Sequence, residues 1–205
     1  MVRLNLERLR MKKFNQYLLQ SGDKILFHTK GFSPMSMGIR HLTKSFWNHA
    51  GQYEVEDGKG YVIEALGSGV VKTPIDKYIN NKSYILKAVR LKESAFASIE
   101  EYIKGLKTSR KRIYARIGTK YDYLGIVWLG FKYIIKGWFR KTPVNFFQDR
   151  EKFFCSELIC TADYKISSIH PYLYQGKTGQ KCGTTTPRDI SKSLNVKWIT
   201  GAKKD

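Results

Sequence analysis

The sequence predicts an α+β domain, and three observations carry that expectation. Strand signals fill the first half of the chain, helical periodicity fills the second, and a favoured tight-turn pair, Asp57-Gly58, joins two of the strands. With 205 residues the chain is long enough for one well-buried domain. Residues 21–205 are assigned to it. Residues 1–20 read as an N-terminal amphipathic helix, with Leu4, Leu6, Leu9, Phe14, Leu18 and Leu19 set among Arg and Lys.

Taken in order, Gly22-Asp23 ends the first helix and 24–27 forms a short strand. A loop follows, then a short helix over 39–46 carrying Leu42 and Phe46. Strands over 50–55 and 61–66 flank the Asp57-Gly58 turn as a hairpin. Further strands are expected over 70–73 and 84–91. From 94 to 117, Ile99, Ile103, Leu106, Ile113 and Ile117 recur at helical spacing, which predicts that they form the buried face of a long helix. Its other face carries Lys104, Lys107, Arg110, Lys111, Arg112 and Arg116, the densest basic stripe in the chain. Helices over 122–137 and 155–164 come next. Thr186-Pro187-Arg188-Asp189-Ile190 is a good helix entry, and a last strand covers 196–199.

Lys plus Arg number 37 against 17 Asp plus Glu, a net charge of +20, which favours anionic partners. Nucleic acid, anionic lipid and acidic cell-wall polymers all qualify. The N-terminus has no continuous apolar core before a small-residue cleavage site, so it is not a secretory signal. The most apolar segment, 123–139, is interrupted by Lys132 and Lys136 and reads as a buried or interfacial helix rather than a membrane span. Three irregularly spaced cysteines suggest neither a disulfide framework nor a zinc site, and fit a reducing compartment. No His-x-x-x-His or Cys-x-x-Cys spacing occurs, so no metal or other cofactor is expected.

Two positions suggest chemistry. In Phe153-Phe154-Cys155-Ser156-Glu157-Leu158-Ile159 the pattern turns helical at the cysteine itself. A cysteine at a helix N-terminus has its thiolate favoured by the macrodipole and by unpaired N–H groups, and the same groups can bind an oxyanion. Cys160 and Cys182 read as small buried residues. A thiolate enzyme also needs a base with a third group to orient it. Of four histidines, His28 ends a strand, His41 lies in a helix, His170 sits beside Pro171, and His49 precedes the first hairpin strand. A two-residue turn at Asp57-Gly58 pairs Glu56 with Lys59, so Glu64 falls opposite Gly51 and diagonal to His49, within reach of a long side chain. A one-residue slip would reverse that placement.

The residues also resemble a known family, the permuted, YiiX-like branch of the NlpC-type papain-fold hydrolases and amidases. Gly22-Asp23-Lys24-Ile25-Leu26 resembles its opening strand, and Ser45-Phe46-Trp47-Asn48-His49-Ala50-Gly51 its histidine motif. Val62-Ile63-Glu64-Ala65 resembles the strand bearing the third polar residue. Gly118-Thr119-Lys120-Tyr121-Asp122-Tyr123, Phe154-Cys155-Ser156-Glu157-Leu158-Ile159 and the segment from Thr186 to Ile190 follow in the family's order. The resemblance spans roughly 22–199. It implies a circularly permuted papain-like fold, a small antiparallel sheet packed against helices, with the histidine ahead of the nucleophile.

It further implies Cys155 as nucleophile, His49 as base, Glu64 as orienting carboxylate, and Tyr121, Asp122 and Ser156 on the substrate side. Asp122 as a plain helix cap is an equal alternative. Asn48 departs from the family's motif, where a small hydroxyl residue is expected. The expected activity is that of a thiol-dependent hydrolase or acyltransferase on an amide or ester, for instance peptidoglycan peptides, N-acyl or lipid amides, or protein or isopeptide bonds. The alternative is a catalytically silent module whose basic face binds nucleic acid or a larger assembly. The expected location is the cytoplasm or a bacteriophage particle.

Overall fold

The computed structural model describes residues 14–30, 45–122, 152–167, 182 and 185–199. The expected helices over 39–46 and 122–137 lie outside these residues except for 45, 46 and 122, which are not helical, as does all but the end of the N-terminal one. A 3-10 turn covers Gln16–Leu18.

Six strands form one antiparallel sheet in the order β4-β3-β2-β1-β5-β8: β1 Lys24–Thr29, β2 His49–Glu56, β3 Lys59–Leu66, β4 Gly69–Pro74, β5 Tyr84–Leu91 and β8 Val196–Trp198. The β2–β3 hairpin has the predicted register, Glu56 opposite Lys59. Asp57 and Gly58 both adopt positive φ, 49° and 73°, the geometry whose twist matches a two-residue hairpin. A single helical turn, α1 (Asp76–Ile79), follows β4, and α2 (Ile99–Tyr114) follows β5. A small parallel pair, β6 (Lys120–Tyr121) with β7 (Lys152–Phe153), leads into α3 (Cys155–Ala162). The last helix, α4 (Pro187–Lys192), starts with Thr186 and Asp189 in a reciprocal capping box.

Alternation along the strands separates two apolar layers. Leu26, Ala50, Val89 and Leu91 pack with Tyr102 of α2 and Ile159 of α3. Ile25, Phe27, Tyr53 and Val62 face the other way, against Leu19, Ile75 and Tyr78. The helix-facing side also holds a polar cluster. Lys24 is wholly buried, its Nζ 3.0 Å from Asp163 Oδ2 and donating to Gln52 Oε1 at 2.6 Å, and the Ser109 hydroxyl donates to Asp163. Buried charges persist when paired in this way.

That cluster explains one correction. Ile99 and Ile103, expected on the buried face of the long helix, are 49 % and 47 % exposed, and Ile117 is exposed as well. The buried face of α2 is Tyr102, Gly105, Ser109 and Ile113. Of the expected residues Ile113 is buried and Leu106 partly so; an apolar count does not pick out Ser109, buried by its bond to Asp163, or Gly105, buried by close approach to Phe96 and Ile166. Helix α2 is also shorter than expected: Ser98 caps it, its hydroxyl accepting from Glu101 N, and Glu93–Ala95 forms a separate 3-10 turn.

A second correction concerns the cysteines. Cys160 and Cys182 form a disulfide, with Cα atoms 5.2 Å apart, and Cys155 alone remains a thiol. The segment before α4 runs along α3, where Ser156 Oγ also donates to the Thr185 carbonyl at 2.7 Å. Three cysteines thus make one bridge and one thiol, so their number no longer favours a reducing compartment.

Candidate active site

His49, Glu64 and Cys155 meet at one end of the sheet. His49 opens β2, its ring 5.1 Å from that of Phe27, its cross-strand partner. Glu64, on β3, falls opposite Gly51, two residues along β2 from His49. The absence of a side chain at Gly51 lets the two meet: a Cβ there would overlap Val62 and stand 3.2 Å from Glu64 Cβ. With that space open, Glu64 Oε2 reaches His49 Nε2 at 2.7 Å. This leaves Nδ1 as the ring nitrogen for the thiol of Cys155, which is hydrogen-bonded to His49.

Cys155 is the first residue of α3, 4 % exposed, with the backbone N–H groups of Ala50 and Ser156 directed at its sulfur. Burial resists a charge on the thiol. The imidazolium of His49 and the two N–H groups outweigh it and hold the thiol below its ordinary value. Burial likewise resists a charge on His49, yet the Cys155 thiolate and the Glu64 carboxylate push its pKa up to about 10. Glu64 is completely buried, which raises a carboxyl, but hydrogen bonds from His49, Tyr78 and Thr73 bring it below its usual range. Each of the three thus has its charged form favoured: the thiol and the carboxyl are lowered and the imidazole is raised. With 19 % of its side chain exposed, His49 is the member of the three that meets solvent.

The loop ahead of His49 is clipped in place. His28 Nδ1 is 2.7 Å from the Phe46 carbonyl oxygen, and Asn48 Oδ1 accepts from Thr29 N at 3.1 Å. Asn48, the departure from the family motif, is thus an anchor between β1 and β2. Tyr121 is half-buried against the Ile63–Leu158 cluster, and its parallel pairing with Phe153 brings it beside the strand that delivers Cys155. Asp122 follows it and is buried. The Ser156 hydroxyl is committed to Thr185, so what Ser156 offers the sulfur is its backbone N–H. Tyr78 and Thr73, which complete the surroundings of Glu64, carry no sequence signal, since only tertiary folding brings α1 and β4 to β3.

Fold and site together define a class: an α+β domain with a Cys–His–Glu chain at the end of an antiparallel sheet. No family model matches the sequence, and no curated protein does. Among solved structures it is similar to the metalloprotein YiiX from Escherichia coli O157:H7, with a TM-score of 0.60 and 16 % identity over 89 % of this chain and 97 % of that one. The likeness is one of fold. Among the described residues no group of three or more His, Cys, Asp or Glu side chains is arranged to hold a metal, and His49 already has both nitrogens engaged. Nor is any described helix long and apolar enough to cross a membrane.

Proposed function

We propose that the protein is a thiol-dependent hydrolase or acyltransferase of the permuted papain-like kind. The observation that carries this reading is the hydrogen-bonded chain from Cys155 through His49 to Glu64. The Cys155 thiolate attacks the carbonyl carbon of an amide or ester, and N–H groups at the start of α3 receive the developing oxyanion. As the tetrahedral species collapses, the C–N or C–O bond breaks and His49 gives its proton to the leaving group. Water, or another acceptor, then transfers a proton to His49 and attacks the thioester, releasing Cys155 as thiolate. Glu64 keeps the imidazole oriented throughout. Peptidoglycan peptides, N-acyl or lipid amides and protein or isopeptide bonds are the substrate classes to test.

The test is the pH dependence of iodoacetamide alkylation, resolved by site, in wild type and His49→Ala. Cys155 should react well below the ~8.5 of an ordinary thiol and lose that reactivity without His49. A Cys155 that titrates as an ordinary thiol in both proteins overturns the reading.

One observation favours a second reading, that of a basic binding module. Lys104, Lys107 and Lys111 project outward from α2, exposed and without an ion pair among the described residues. A phosphate-binding role predicts affinity that falls steeply with salt, and a slope that flattens in the K104E/K107E/K111E variant.

A further inference from the structure

Glu64 has two carboxylate oxygens, and only one serves His49. The other, Oε1, accepts a hydrogen bond from the Tyr78 hydroxyl, delivered by α1. Thr73, on β4, hydrogen-bonds the same carboxylate. Tyr78 is itself fixed: its ring lies edge-on to Phe27 at 4.9 Å and to Tyr84 at 5.0 Å. Phe27 in turn packs on the His49 ring. One aromatic cluster therefore sets both the imidazole and the hydroxyl that holds the far side of its carboxylate.

A wholly buried carboxylate cannot recover a lost donor from bulk water. Without Tyr78 it would turn away from His49 or take up a proton, and either change releases the imidazole. We propose that Tyr78, seconded by Thr73, is a positioning residue: it acts through Glu64 to lock the His49 ring and thereby sustains the reactivity of Cys155. The last step rests on the hydrolase reading; the link from Tyr78 to His49 does not. The titratable groups concerned are His49 from β2, Tyr78 from α1 and Cys155 from α3, with Tyr84 of β5 packed behind Tyr78.

The test compares Tyr78→Phe, Thr73→Val and the control Tyr84→Phe, each checked for folding by thermal melting. Two readouts are followed: exchange of the His49 Nε2–H proton by ¹⁵N-edited NMR, and the acid limb of Cys155 alkylation against pH. Tyr78→Phe keeps the ring packing and removes only the hydroxyl. A lost hydrogen bond to a buried charge should speed Nε2–H exchange about tenfold and move the acid limb up by about one pH unit. The direction of the limb follows because Glu64 then protonates at higher pH and His49 loses its counter-charge. Thr73→Val should act in the same sense more weakly, and Tyr84→Phe should change neither readout. Thr73→Val also stands in should Tyr78→Phe fail to fold.

Wild-type behaviour of both readouts in folded Tyr78→Phe, or in Thr73→Val where that variant stands in, overturns the proposal. Should wild-type Cys155 prove indifferent to His49→Ala, the hydrolase reading falls by itself, and the Nε2–H readout still decides the role of Tyr78.

Discussion

Replacing Lys24 by methionine tests the polar cluster beneath the sheet. Methionine keeps the unbranched stem and fills the space, but removes the cation 3.0 Å from Asp163 Oδ2 and the donor 2.6 Å from Gln52 Oε1. Lys24 and Asp163 are both fully buried, so the orphaned carboxylate finds no water. Breaking a buried pair from one side costs about 3–5 kcal/mol. The Ser109 hydroxyl still donates to Asp163, which places the expected loss near the lower end. Urea unfolding followed by far-UV circular dichroism reads it directly. With a urea slope of roughly 2 kcal/mol/M, the midpoint should fall by about 1.5 M. Neutralising the partner as well, in Lys24→Met/Asp163→Asn, should recover much of the loss because no uncompensated charge remains. The reasoning is refuted if the single variant loses under ~1 kcal/mol, or if the double variant is no better than the single.

Three further outcomes are expected. Thiol titration of the denatured, unreduced protein should find one thiol per chain and reduction should expose all three; opening the Cys160–Cys182 bridge should cost about 3 kcal/mol on a loop-entropy estimate, read as the difference between oxidised and reduced urea curves. Gly51→Ala should abolish the low-pH reactivity of Cys155 while all three site residues remain, since the new methyl displaces β3 at Glu64; stability should fall by about 1–3 kcal/mol, and wild-type reactivity would sink this account of the glycine. The third concerns pH. His49, raised from 6.5 to about 10, contributes stability that is complete below pH 6.5 and lost as pH rises toward 10. Cys155, lowered from 9.0, contributes stability that is complete above pH 9.0 and lost as pH falls through its folded value. In a window that ends at pH 9.0 the two slopes oppose each other and cancel. The stability difference between wild type and His49→Ala/Cys155→Ala should therefore be flat across that window. Above it the difference should fall by about 1.4 kcal/mol per pH unit, and a steady slope inside the window would contradict the ion pair.

The hairpin could be read from sequence because its determinants are local. Asp57-Gly58 dictates the turn, the turn dictates the register, and the register places Glu64 beside His49. Cys155 was legible for a similar reason, since an apolar strand gives way to a helical pattern at that residue. The buried face of α2 was legible only in part, at Ile113: Ser109 and Gly105 owe their burial to partners far away in the chain, while Ile99 and Ile103 look like core and are not. Lys24 passes for an ordinary exposed residue until Asp163 is brought beneath it. The Cys160–Cys182 pairing and the Tyr78–Glu64 bond likewise depend on how separate elements dock. Patterns with periods of two or 3.6 carry no information of that kind.

His49 and Glu64 belong to one hairpin, 15 residues apart, whereas Cys155 arrives on a different element. Bringing His49 and Cys155 together closes a much longer loop, at about 2 kcal/mol more in chain entropy than closing the hairpin. His49 and Glu64 can thus meet early in folding, but the groups that lower the Cys155 thiol reach it only once α3 has docked against β2. Until then Cys155 is an ordinary thiol, protonated at neutral pH and slow to alkylate or oxidise. On the hydrolase reading proposed above, reactivity is switched on by the completion of the fold, so a nascent or damaged chain carries no unguarded thiolate.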